Sequence, residues 1–365
     1  MKTTHTTYFG KSQNLNKIKD NSVDLIVTSP PYPMIEMWDG IMAGQNPKIQ
    51  DAFDSNNPNL AFELMHKELD KVWKECNRVM KDGAFLCINI GDATRTIDGN
   101  FALYNNHSRI VNYCLSIGLT NLTNIIWRKQ TNAPNKFMGS GMLPCGAYVT
   151  LEHEHILIFR KGGKRDYKSA ESKIVRRESS FFWEERNVWF SDLWDLKGTK
   201  QKLANSASRD RSAAYPFEVP YRLINMYSQV GDIVLDPFMG TGTTAQAAIL
   251  LGRNSIGYEI DKTFSKLIED SIESLNITDL NHLIKSRYEK HLAFVNERTS
   301  THGALKHKNS HLKCDVMTSQ ESDIKLHYLI SISKTDGSSL IYEVEYEDVS
   351  DMNQMPSSVN EGCLF

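Results

Sequence analysis

Two apolar runs, each stopped by a turn that restricts the backbone, dictate how this chain can fold. Ser22-Val23-Asp24-Leu25-Ile26-Val27-Thr28 stops at Ser29-Pro30-Pro31-Tyr32, and Asp232-Ile233-Val234-Leu235 stops at Asp236-Pro237-Phe238-Met239-Gly240-Thr241-Gly242-Thr243. Short apolar, β-branched runs bounded by turn residues read as buried strands. Pro30 and Pro31 remove two backbone donors and fix two φ angles, so the chain must leave the sheet there. In the second segment Gly240 and Gly242 turn the strand into a helix that starts at Thr243 and ends at Gly252. Open α/β sheets hold their ligands at the carboxyl ends of strands, which is where both turns fall.

The two turns offer different chemistry. A Pro-Pro turn holds Ser29 and Tyr32 rigidly. The Pro30 carbonyl is free to accept a hydrogen bond from a planar amino group, Ser29 offers a second acceptor, and Tyr32 a flat face for a ring. Taken alone, such a turn merely ends a strand. The glycines let the backbone approach a ligand closely, and Glu259, after Ser255-Ile256-Gly257-Tyr258, can hold a ribose diol. That spacing also fits a dinucleotide fold.

Read together, the two strings resemble those of the DNA amino-methyltransferases, which methylate the exocyclic nitrogen of cytosine or adenine. Thr28 to Tyr32 is similar to their catalytic motif, written with Asp, Asn or Ser before Pro-Pro-Tyr, and Asp236 to Thr243 to their S-adenosylmethionine motif. The catalytic string comes first, as in the permuted beta group. The resemblance implies a Rossmann-like methyltransferase fold and catalytic roles for Ser29, Pro30, Pro31 and Tyr32. It implies cofactor contacts from Asp236 to the methionine ammonium and from Glu259 to the ribose, with Pro237, Phe238, Gly240, Gly242 and Thr243 between them. Ser at the head of the motif favours cytosine N4 over adenine N6. The substrate is then duplex DNA, its target base flipped out and stacked on Tyr32 with Trp38 as a second wall. A restriction endonuclease acting on the same site is the implied partner. Family members often carry an acid after the Gly of the first strand, where it contacts the cofactor's adenine; here Lys11 and Ser12 follow Phe9-Gly10, so Ser12, Asn14 or a main-chain acceptor is expected to substitute. A nicotinamide-dependent oxidoreductase would explain the Gly turn but not Thr28 to Tyr32. A non-catalytic nucleic-acid-binding module would explain neither motif.

Alternating strand and helix patterns along the rest of the chain predict an α/β doubly wound, mostly parallel sheet with an antiparallel edge strand. Helices are expected over Leu60 to Met80 and His107 to Ile117, and strands over Ala84 to Gly91, Leu119 to Arg128 and His153 to Arg160. Pro33 to Pro58 has few regular signals and reads as a lid or as a packed irregular segment. We expect a catalytic part over residues 1–161, a target-recognition region over 162–205, a cofactor-binding part over 206–298 and an accessory β element over 299–365, with a hairpin around Lys334-Thr335-Asp336-Gly337.

A net charge of −2 argues against indiscriminate nucleic-acid binding by the whole surface and directs attention to a local patch. Between Arg160 and Arg186 stand nine Lys and Arg against five acids, interleaved with aromatics. Arg160, Lys161, Lys164, Arg165, Arg176 and Arg177, with Trp38, are therefore the expected DNA contacts. Six scattered cysteines without C-x-x-C spacing indicate neither a disulfide framework nor a zinc site. His153-Glu154-His155 has no evident third ligand, so no metal is expected, and Pro144-Cys145 is followed by Gly146, not the Gln of the cytosine-C5 enzymes. The chain has no apolar run that would span a bilayer and no signal-peptide stretch at Met1 to Thr6, which fits a reducing bacterial or archaeal cytoplasm.

Overall fold

A computed structural model describes residues 1–129, 138–198, 215–335 and 340–349. Eleven strands form one sheet: β1 (Lys2–Phe9), β2 (Val23–Thr28), β3 (Met80–Ile90), β4 (Leu119–Asn121), β5 (Ile125–Lys129), β6 (His153–Lys161), β7 (Leu193–Leu196), β8 (Ile233–Asp236), β9 (Asn254–Glu259), β10 (His327–Lys334) and β11 (Leu340–Asp348). Their order is β7-β5-β6-β3-β2-β8-β9-β1-β11-β10, with β4 also pairing with β6. The five central strands, β3-β2-β8-β9-β1, are parallel. All six residues of β2 are buried, as its apolar run requires.

Helices cover both faces. The long helix α3 (Pro58–Val79) follows the short α1 (Asp39–Gln45) and α2 (Lys48–Asp54). Pro58 opens α3 and the Asn57 side chain caps it by accepting from the Leu60 N–H. Its Met65, Leu69, Val72, Trp73 and Cys76 repeat at helical spacing and are buried in the core with α4 (Asn106–Ser116). The chain continues with α5 (Ala170–Glu178), α6 (Trp183–Trp189), α7 (Glu218–Tyr227), α8 (Thr243–Leu250), α9 (Ser265–Glu273) and α10 (Ile277–His302). Leu223 and Ile224 of α7 and Ala247 and Ala248 of α8 bury the other face against Leu25, Val27 and Val234.

Several expectations change. The antiparallel strand β6 is not at an edge: it lies inside the sheet, flanked by β3 and by β5, which continues to β7. Leu119 to Arg128 is two strands, because the Asn124 side chain bonds the Ile158 N–H where the ladder breaks. Pro33 to Pro58 is largely helical, with Met34, Met42, Ile49 and Ala52 buried. The C-terminal hairpin forms, and β11 pairs antiparallel with β1, so the accessory β element extends the main sheet. Asp336 and Gly337 lie outside the described residues.

Candidate active site

β2 and β8, remote in sequence, are neighbours at the centre of the sheet, and their two turns meet at one end of it. The sheet order reverses here, with β3 on one side and β9 and β1 on the other, which makes a crevice at the carboxyl ends of the strands. A pocket in that crevice is lined by Ser29, Pro30 and Pro31 from the first turn and by Asp236, Pro237, Phe238, Gly240 and Thr243 from the second. Ser12, Trp38, Ile41, Gln45, Tyr215 and Glu259 complete much of its wall.

Asp236 ties the two turns together. Its Oδ1 accepts from Thr28 Oγ1 at 2.7 Å and from the Phe238 N–H at 3.0 Å, while its Oδ2 accepts from Thr244 Oγ1 at 2.7 Å and from the Tyr215 hydroxyl at 3.4 Å. Burial raises its pKa above the ordinary carboxylate range, and these donors oppose the rise. Gly242, at φ 91°, supplies the left-handed residue that turns the chain into α8. Glu259, at the end of β9, accepts from the N–H of Gly240 and of Asp261, each at 2.9 Å, and burial raises its pKa also. Ser12 is buried on the wall; Asn14 is exposed and turned to the Asn16 N–H.

On the catalytic side, Tyr32 is set behind the pocket wall. Its ring lies against Gly91, where a Cβ would come within 2.9 Å of a ring carbon. Its hydroxyl donates to Glu154 Oε2 at 2.8 Å, receives Asn89 Nδ2 at 2.8 Å and lies 3.1 Å from Ser29 Oγ. Asn89 also donates to Glu154 Oε2 at 2.7 Å, and Lys129 pairs with the other carboxylate oxygen. Burial, reinforced by the Glu154 charge, keeps the Tyr32 phenol protonated far above its ordinary range. Behind the turn, His66 bonds Asn106 Oδ1, and Asn106 Nδ2 donates to the Pro33 and Gly91 carbonyls.

Sequence reasoning missed Asn89, Lys129 and Glu154. Glu154 was legible in principle, since alternation along β6 puts it on the opposite face from His153 and His155. His155 meets partners that spacing could not reveal. His107 Nδ1 bonds Asp92 at 2.7 Å, His155 Nε2 lies 4.0 Å from that carboxylate, and the two rings stack with centroids 4.0 Å apart. One ligand atom from each residue falls within 4.8 Å of the others. Cys145 is exposed in a turn and does not line the pocket.

A sequence profile of a DNA methylase family matches residues 23–270. The chain belongs to that DNA methylase family. It is 49% identical over 363 residues to the type II methyltransferase M.MthZI of Methanothermobacter thermautotrophicus, covering 99% of this chain and 100% of that one. TTHA0409 of Thermus thermophilus, solved in complex with S-adenosyl-L-methionine, aligns with a TM-score of 0.55 at 32% identity over 73% of this chain and 93% of that one. The cytosine-N4-specific PvuII methyltransferase shares the fold, with a TM-score of 0.51 at 16% identity over 77% of this chain and 92% of that one.

The chain is thus an S-adenosylmethionine-dependent DNA methyltransferase of the type II restriction-modification kind. Its pocket suits that cofactor: it is lined by Phe238 and Tyr258 among apolar groups and carries the buried carboxylate of Asp236 and the half-buried one of Glu259.

The structure places the basic segment, where DNA contacts were expected, away from the pocket. β6 runs antiparallel to β3, so Arg160 and Lys161 emerge at the end of the sheet opposite the pocket. Lys161 Nζ donates there to Asn21 Oδ1 and to the Asn77 and Met80 carbonyls. Arg160 turns back to the Gly162 carbonyl, and Arg165 makes a two-pronged pair with Asp232 at 2.6 and 2.8 Å. Lys164 sits in the same turn; Arg176 lies over the Tyr167 ring, and Arg177 pairs with Asp323. Lys161 and Arg165 thus brace the amino end of the sheet, whereas Lys164, Arg176 and Arg177 are exposed. Trp38, by contrast, is on the pocket. Residues 209–214, ahead of the cofactor strand, lie outside the described residues; Tyr215, which follows them, lines the pocket. Among the described residues no helix is long and apolar enough to cross a membrane.

Proposed function

We propose that this methyltransferase modifies N4 of cytosine in duplex DNA, and that Ser29 and Pro30 are the groups that present the amine. S-adenosylmethionine supplies the electrophilic methyl group when bound, and Asp236, Phe238, Gly240 and Glu259 are the residues that would hold it. An exocyclic amine is conjugated with its ring and is a poor nucleophile. Acceptors at the Ser29 hydroxyl and the Pro30 carbonyl orient its hydrogens and favour a tetrahedral nitrogen as charge develops. Fixed placement beside the methyl contributes as well, since near-attack geometry is worth about 7–11 kcal/mol.

The observation that carries this reading is the polar chain behind Ser29. With Tyr32 donating to Glu154, the Ser29 hydroxyl can donate to the Tyr32 oxygen, 3.1 Å away, and its lone pairs then face the pocket as acceptors. Glu154 polarises this chain and Lys129 balances its charge. Ser29 is too weak a base to deprotonate the neutral amine, so the proton leaves after transfer, when the cationic amine is acidic. The base must be flipped to reach the pocket. No step uses Cys145. A cognate endonuclease acting on the same sequence completes the proposal, on the strength of the type II relative.

Mass spectrometry of nucleosides from DNA modified by this enzyme tests the base assignment. N4-methylcytosine is expected. N6-methyladenine would overturn the assignment to cytosine, and 5-methylcytosine abolished by Cys145→Ser would overturn the mechanism.

A further inference from the structure

The excursion between β5 and β6 leaves the sheet at its carboxyl end, the end that carries the pocket, because β5 is antiparallel to β6 and thus runs with β3. Its described part is a ribbon, Met138–Gly139 paired with Ala147–Tyr148. The turn between them exposes Met142 to 85% and Leu143 to 70% of their full surface, and Val149 beside it to 92%. Such apolar side chains are not spread over the surface at random here; they sit next to one another on one protrusion.

The protrusion is built rather than slack. Ser140 N–H bonds the Gly146 carbonyl at 2.8 Å, and Ser140 Oγ bonds the Leu143 carbonyl at 2.7 Å. Gly139 takes φ 66°, and a Cβ there would strike the Gly146 carbonyl oxygen at 2.1 Å, so only glycine closes the ribbon this tightly. Packing connects it to the pocket. Tyr148 stacks on Phe101 at 4.5 Å with the rings 4° from parallel, and Phe101 belongs to a second ribbon, Ala93–Ile97 with Asn100–Tyr104. Arg95 of that ribbon forks onto Asp39, one residue after the pocket residue Trp38.

Charge points to the occupant. Although the chain has 44 Asp and Glu, none falls between Asp98 and Glu152, a stretch that holds both the Phe101 strand and the protrusion together with Arg128 and Lys129. A polyanion can approach the protrusion and the Phe101 strand without acidic side chains from either opposing it; the one acid of the Phe101 ribbon, Asp98 in its turn, accepts from the Asn56 amide.

We propose that Met142 and Leu143 form a wedge that enters the base stack of duplex DNA and fills the space left by the extruded target nucleotide. Apolar side chains inserted between base steps are an established way to hold a distorted duplex, and a flipped base leaves a gap whose walls are apolar base faces. This rests on the flipped-base reading above. The wedge would stabilise the flipped state without touching the reacting atoms, so its loss matters most where flipping is costly.

The test uses the full chain and duplexes carrying the sequence that the wild-type enzyme modifies. One series has the target paired normally and a second has it opposite an abasic site. A Met142→Ala/Leu143→Ala variant is expected to lose roughly tenfold or more in single-turnover methylation of the paired duplex, with most of that loss recovered on the abasic-opposed duplex. The exchange Met142→Leu/Leu143→Met, which keeps apolar bulk, should restore the paired rate. Calorimetric affinity for S-adenosylmethionine should be unchanged in both variants and reports that the fold is intact. Equal loss on the two duplexes, or no loss on either, overturns the wedge. A wild-type enzyme that methylates the paired and abasic-opposed duplexes at the same rate overturns the flipping cost on which it rests, while leaving the chemistry of Ser29 standing.

Discussion

Replacing Thr28 by Val removes one hydroxyl and nearly nothing else. The side chain is fully buried at the end of β2, both residues are β-branched, and Val fills the same volume. What disappears is the 2.7 Å bond to Asp236 Oδ1, which joins the strand carrying Ser29 to the strand carrying the glycine turn. Hydrogen bonds to charged groups are worth about 1.5–3 kcal/mol, so the variant should unfold at correspondingly lower urea concentration. Burial already raises the Asp236 pKa, and losing a donor to the ionised form raises it further. The sign follows: well below both folded pKa values the carboxyl is protonated in either protein and only a neutral bond is missing, so the deficit should widen as pH rises. Urea unfolding of both proteins at neutral pH and at roughly pH 5, with calorimetric titration of S-adenosylmethionine on the folded forms, measures both quantities. Stability within about 0.5 kcal/mol of wild type at neutral pH would refute the argument, because that is the ordinary scatter of a neutral substitution.

Other consequences are as direct. Glu259→Gln keeps the shape but weakens its acceptance from the Gly240 and Asp261 amides and removes the charge, and cofactor affinity should fall about ten- to a hundredfold by calorimetry. Alanine at both Arg176 and Arg177 should leave DNA affinity and its salt slope unchanged across a salt series, since these side chains face Tyr167 and Asp323; a flatter slope would return them to the DNA interface. Burial holds His5 and His66 down to about 3, whereas an unfolded histidine titrates near 6.5. The unfolded chain therefore binds more protons between those values, and each residue should cost about 2 kcal/mol of stability on going from pH 7 to pH 5. His66→Gln should remove one such share from the pH dependence of urea unfolding; an unaltered slope would contradict it.

The parts of the site that were legible in the sequence are those whose chemistry is local. Pro30 and Pro31 end a strand by themselves, and Gly240 and Gly242 make a turn by themselves, so both halves of the pocket could be found before their contact was known. Pairing was not legible. Nothing near β11 announces that β1 is its neighbour, and nothing in His153-Glu154-His155 announces Asp92, His107 or Tyr32, because those contacts are set by sheet order. Counting charges is blunt for a related reason: a tally of Lys and Arg cannot tell a side chain free to meet phosphate from one such as Arg165, already clasped by Asp232.

The position of β1 bears on how the enzyme comes into being. This strand precedes the other strands of the sheet along the chain, yet its two partners are Asn254–Glu259 on one side and Leu340–Asp348 on the other. Ser29, likewise made early, waits for Asp236 to be joined to Thr28. Contacts so distant along the chain carry a high loop-closure cost and form late, so the growing polypeptide spends most of its synthesis without a sheet centre. A nascent chain that ends before β8 holds only the first of the two turns. The pocket is therefore incomplete until β8 and β9, which carry Asp236 and Glu259, have been made.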